Sequence, residues 1–233
     1  MHNYKKLTVA GCSVSDRGSG VDWCYGDKLA ELLDVEYDHQ GAICGSNDRI
    51  FRVVTNSIID GSIDTDTLVV IQYTQTVRRE FWTSNTVDEP FPGPMNSTGR
   101  IPLVESYGEE RIDGQLVRWK PNAHSWQKVS SIEQFFKQYQ EQFADIKYAD
   151  DVFALQHYNF VHMLNAKKIP HVFLNVWAYP HNDLYWPSES LVLRITAENL
   201  DSSLQTTLPN GELDWHFNNA GHIEVAQRIY NLL

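Results

Sequence analysis

The chain has 233 residues, 42% hydrophobic and 12% aromatic, which supplies a sizeable core and argues against global disorder. Thirty acidic against nineteen basic side chains give a net charge of −11, and no basic run is longer than Lys5-Lys6 or Arg78-Arg79. That balance argues against a nucleic-acid partner and against an anionic membrane surface.

Cys12, Cys24 and Cys44 show no C-x-x-C spacing, so neither a disulfide framework nor a structural zinc site is expected. No apolar run approaches ~20 residues, the length of a membrane span. Met1 to Ala10 pass into an apolar strand without the core of a signal peptide, so a soluble, cytoplasmic chain is expected. The length fits one α/β domain over residues 1–233 with insertions.

In chain order, Leu7-Thr-Val-Ala10 reads as a buried strand broken at Gly11. Leu29, Leu32 and Leu33 give helical spacing to the segment from Trp23 to Leu33, and Val35-Glu-Tyr37 starts a second strand ending at Gly41. Ser46 or Asn47 caps a helix whose Ile50, Phe51, Val54, Ile58 and Ile59 share one face. Thr67-Leu-Val-Val-Ile71 is a continuous apolar run, as a strand covered on both faces requires.

From about 77 to 128 the pattern breaks among prolines and glycines with no sustained period, which marks a lid or binding insertion. Helical spacing resumes at Ile132, Phe135, Phe136, Tyr139 and Phe143, and again from Asp150 to about Lys167. His171-Val-Phe-Leu-Asn-Val-Trp177 reads as another buried strand. Residues 178–210 form a second irregular stretch, and a last helix runs from about Asn219 to Leu232. Strands alternating with helices predict a three-layer αβα sandwich around a central parallel sheet, with functional groups just past the strand ends.

Three segments in those places carry chemistry. Gly11-Cys-Ser13-Val-Ser15 follows the first strand, where a glycine turn exposes a hydroxyl, although Ser13 also suits a helix cap. Gly41-Ala-Ile-Cys-Gly45-Ser-Asn47 follows the second; Gly45 lets a backbone N–H approach a ligand, and a plain tight turn explains it equally. Asp214-Trp-His216 precedes the last helix in a turn, where the acid can orient the imidazole. His222, in that helix's first turn, reads as structural, and no histidine spacing specifies a metal. No glycine-rich phosphate loop follows a strand, so no nucleotide cofactor is indicated.

Taken in order, these segments resemble the blocks of the SGNH, or GDSL-type, hydrolases. Gly11-Cys12-Ser13-Val14-Ser15 resembles the block that carries the nucleophile, with Cys12 where Asp is usual; Gly45 resembles the oxyanion-hole glycine; and Asp214-Trp-His216 resembles the acid and base. The resemblance implies a flavodoxin-like SGNH hydrolase fold and a serine esterase without metal or organic cofactor. Its triad would be Ser13, His216 and Asp214, and its oxyanion hole the N–H groups of Ser13 and Gly45 with the Thr74 hydroxyl.

Two departures stand out. The block after the central strand, usually Gly-x-Asn-Asp, is Gln72-Tyr73-Thr74-Gln75, so Thr74 falls at the Asn position with Gln75 or Gln72 as replacements. The usual acid stands three residues before the histidine, where this chain has Leu213; Asp214 is taken instead, with Glu212 as substitute.

The substrate implied is a small acyl ester, such as an O-acetyl group on a carbohydrate, met by Gln75, Arg78, Trp82 and Tyr179. A histidine that must be neutral to take a proton predicts activity falling below about pH 6–7. A non-catalytic binding or structural protein on the same fold, and an O-acyltransferase with the same triad, are the competing functions.

Overall fold

The structure is a computed structural model that describes residues 4–16, 21, 23–42, 45–76, 79–83, 93–97, 108–112, 115–119, 146–176, 191–195, 201–207 and 213–233. Strand β1 (Lys6–Gly11) runs into a 3₁₀ turn at Ser13–Ser15 and then helix α1 (Tyr25–Leu33). Strand β2 (Glu36–Gly41) leads to α2 (Asn47–Ile59), and β3 (Thr67–Tyr73) follows. Strands β4 (Arg79–Thr83), β5 (Gly93–Ser97), β6 (Gly108–Ile112) and β7 (Gln115–Trp119) come next. Helix α3 (Ile146–Ala166), β8 (His171–Asn175), β9 (Leu191–Arg194), β10 (Gln205–Thr207), β11 (Leu213–Phe217) and α4 (Asn219–Leu232) complete the order.

The helix starts follow from local chemistry. Asp27 accepts the Cys24 N–H at 2.7 Å ahead of α1, Ser46 accepts the Arg49 N–H at 3.2 Å ahead of α2, and Asn218 accepts the Gly221 N–H at 2.9 Å ahead of α4. Each bond satisfies an amide that the first turn of a helix leaves over.

Five strands form one parallel sheet in the order β2-β1-β3-β8-β9. Strand β3 is buried at every position, and its alternate residues serve the two faces. Leu68 and Val70 join Leu7, Val9 and Leu174 against Tyr25 and Leu29 of α1 and Val225 and Ile229 of α4. Val69, Ile71 and Tyr73 join Phe173 against Ile50 and Val54 of α2 and Phe153 and Leu164 of α3. Full burial of each such aliphatic side chain contributes about 1.5–3 kcal/mol. The result is the predicted three-layer αβα sandwich with a flavodoxin-like strand order. The order reverses between β1 and β3, which places the ligand crevice past their C-terminal ends.

Three expectations are corrected. The stretch over 77–128 is not patternless, because β4 to β7 form a four-stranded antiparallel sheet. Ile112 pairs with Gln115, and the sequence between them is Asp113-Gly114, the dipeptide that two-residue hairpins favour. The stretch over 178–210 contains β9, a four-residue strand added at the sheet edge beside β8, too short to show a period. His216 lies not in a turn but on β11, paired antiparallel with β10. The helix expected around Ile132 to Phe143 lies outside the described residues.

Candidate active site

Gly11 ends β1 where a side chain has no room: a Cβ there would overlap the Ser15 hydroxyl and stand 2.8 Å from the Gln72 Oε1. Glycine therefore lets the chain pass close over β3 and turn at once. The turn closes by Ser15 N–H to the Cys12 carbonyl at 2.9 Å and Asp16 N–H to the Ser13 carbonyl at 3.2 Å. Ser13 leads this turn and is half-buried, while Val14 and Ser15 point inward.

His216 arrives from the other end of the chain. Its strand is held to β10, where Gln205 pairs with Phe217, and the Thr206 hydroxyl donates to the His216 carbonyl at 3.4 Å. Asn218 braces the following corner by donating to the carbonyls of Ser203 at 2.6 Å and Gln205 at 3.0 Å. So held, the His216 Nε2 stands 2.8 Å from the Ser13 Oγ. A hydroxyl at that distance from an imidazole nitrogen can pass it a proton.

The remaining predicted residues divide. Asp214 lies on β11 two residues before His216, and its side chain is outside the described residues, as is Glu212. Gly45 packs against the turn that carries Ser13; a Cβ there would stand 3.0 Å from the Gly11 carbonyl oxygen and 3.5 Å from the Cys12 Cα. Its N–H donates to the Ala42 carbonyl at 3.0 Å. Thr74 follows β3 but is fully buried, hydroxyl included, so a substrate oxygen does not reach it in this geometry. Gln72 is fully buried too, with its amide turned to the backbone of Tyr73 and of Cys12. Gln75 is half-buried. Arg78 and Tyr179 lie outside the described residues, and so does the side chain of Trp82 on β4.

Two side chains near these strand ends carry parts that their sequence context did not reveal. Asn47 donates from its amide to the Thr74 carbonyl at 2.9 Å and accepts the Thr74 N–H at 2.9 Å, a two-bond clasp between the start of α2 and the residue after β3. The cap of α2 is accordingly Ser46. His39 on β2 stands 3.0 Å from the Ser15 carbonyl oxygen, and since that oxygen only accepts, the His39 Nε2 carries the proton. The same nitrogen lies 3.7 Å from the Asp16 carboxylate. A Gly-Ser-Asn run after a strand signalled Asn47 in type but not in partner.

His222 is buried, and its Nδ1 accepts the Tyr25 N–H at 3.1 Å at the start of α1. Burial pushes its pKa down to about 4, which keeps the ring neutral and its lone pair available for that bond. This is the structural role its position suggested. Among the described residues no cluster of His, Cys, Asp or Glu is placed to hold a metal ion, and no helix is long and apolar enough to cross a membrane.

Against solved structures, the chain is similar to a protein assigned to the G-D-S-L family of lipolytic proteins from Desulfitobacterium hafniense DCB-2. The TM-score is 0.52 at 10% identity, covering 98% of this chain and 99% of that one. It is also similar to a protein assigned as an acylhydrolase from Bacteroides fragilis NCTC 9343, with a TM-score of 0.44 at 10% identity over 97% of this chain and 85% of that one. No family model and no curated protein matches the sequence. The first likeness is one of fold: the chain folds as a GDSL-type hydrolase does.

Proposed function

We propose that the chain is an SGNH-type serine esterase acting on a small acyl ester. The observation that carries this is the 2.8 Å contact between the Ser13 Oγ and the His216 Nε2 at the strand ends of this fold. His216 takes the Ser13 proton as the serine oxygen bonds to the ester carbonyl carbon. The tetrahedral intermediate then breaks to the acyl-enzyme, and His216 returns the proton to the departing alcohol. Water, deprotonated by the same imidazole, releases the acid and restores Ser13. Asp214, two residues before His216, is assigned to fix the imidazole tautomer and offset its charge.

The oxyanion falls to the N–H groups of Ser13 and Gly45, the latter exchanging its bond to Ala42 for the substrate oxygen. Gln75 rather than the buried Thr74 supplies the third donor, because only a group that solvent reaches meets a substrate. A hollow of about 360 Å³ lined by Val21, Thr206, Asn218, Asn219 and Ala220 opens beside the strand that carries His216.

A second function, a non-catalytic protein on the same fold, is favoured by one observation: the residue at the usual third-donor position, Thr74, is shut away. Hydrolysis of p-nitrophenyl acetate by the wild type beside Ser13→Ala separates the two. A wild-type rate far above that of the variant supports the esterase; equal rates support the alternative.

A further inference from the structure

Gln72 occupies a core position of β3 on the same face as Leu68 and Val70, where an apolar side chain would satisfy burial alone. Its amide oxygen instead receives three donors from the turn above. The Cys12 N–H lies at 3.0 Å, the Cys12 thiol at 3.2 Å and the Ser15 hydroxyl at 3.1 Å. Its amide nitrogen donates to the Tyr73 carbonyl. The reversed amide would set N–H against the Cys12 N–H and oxygen against a carbonyl, so the orientation is fixed. Ser15 spends its one proton on Gln72, which makes Tyr25, 2.6 Å away, the donor to Ser15. The polarity therefore runs one way, from Tyr25 through Ser15 to Gln72, entirely within the interior.

The two residues that Gln72 grips, Cys12 and Ser15, bracket Ser13. We propose that Gln72 is a positioning residue for the nucleophile: by holding both flanks of the 3₁₀ turn from below, its amide oxygen sets the Ser13 hydroxyl against His216. This role rests on the esterase assignment above. Without the acceptor, buried donors lose their partner and the turn shifts to find others. A displacement of about 1 Å at a reacting group costs on the order of 10² in rate.

The test compares full-length wild type with Gln72→Leu, Gln72→Glu and Ser15→Ala on p-nitrophenyl acetate, with kcat, KM and thermal melting measured from pH 6.5 to 9.5. Gln72→Leu is expected to lose about 10² in kcat with KM unchanged. Glutamate keeps an acceptor oxygen at this place in either protonation state, whereas leucine has none. Gln72→Glu should therefore keep most of the rate that Gln72→Leu loses. A purely structural role would lower the melting temperature and leave kcat of the folded protein unchanged. Ser15→Ala removes one of the three donors, is expected to lose about tenfold in kcat, and decides the matter if Gln72→Leu does not fold. Wild-type kcat in Ser15→Ala and in folded Gln72→Leu, a Gln72→Glu rate no better than that of Gln72→Leu, or losses confined to KM, would overturn the proposal. An inactive wild type would instead overturn the esterase assignment, and this role with it.

Discussion

The Ser13 hydroxyl and the His216 imidazole lie 203 positions apart in the chain and 2.8 Å apart in space. They meet because β1 ends in a turn bound to β3 from beneath, while the β10–β11 pair returns the end of the chain to the same strand ends. Two groups that share one proton act as a unit. Ser13→Ala and His216→Ala are each expected to lower kcat by about 10⁴–10⁶, with the double variant no worse than either. Steady-state kinetics on an activated acetate ester measure this, and losses that multiply in the double variant would contradict a shared proton.

The acid partner separates by neutral substitution. Asp214→Asn should lower kcat by about 10³–10⁴ at pH 7.5, since an amide holds the wrong imidazole tautomer, whereas Glu212→Gln should leave it unchanged. The reverse pattern would move the acid to Glu212.

The third oxyanion donor is decided by a matched pair. Gln75→Ala is expected to cost about 10²–10³ in kcat, the usual effect of losing one such donor. Thr74→Val, which removes a hydroxyl sealed in the interior, should leave kcat unchanged at the expense of some stability. A large kcat loss in Thr74→Val with none in Gln75→Ala would return the role to Thr74.

Much of this site was legible in the sequence because its blocks are local. A glycine and a serine at the end of an apolar run, or a histidine just ahead of the last helix, declare themselves within a few positions. The groups that hold the blocks in place do not. Gln72 and Asn47 are polar residues whose partners, Cys12 with Ser15 and Thr74, are fixed only once β1, β2 and β3 lie side by side. Thr74 suits the donor position by its place after the strand, but its burial depends on packing that no spacing encodes. The fold was legible through continuous apolar runs such as Thr67 to Ile71. The shorter β9 and the strands β4 to β7 are not legible because four or five residues without a continuous apolar run carry too little period.

Stability should depend on His222 at mildly acid pH. Burial lowers its pKa from the ordinary 6.5 to about 4, so between those values the unfolded chain takes up a proton that the native chain does not. This contribution is intact above about pH 6.5 and is lost as the pH falls towards 4, on the order of 3 kcal/mol in all. Urea unfolding at pH 7.5 and 4.5 should show the wild type losing about 2–3 kcal/mol more than His222→Gln across that interval. Equal losses in both proteins would contradict the linkage.

The most direct measurement of the central claim is covalent. A fluorophosphonate reacts with a serine oxygen only where a neighbouring base has made it a nucleophile. Incubated with the full chain and followed by peptide mapping, it is predicted to mark Ser13 at one equivalent per chain and to leave His216→Ala unmarked. A mark on another serine, or on Ser13 equally in both proteins, would contradict it.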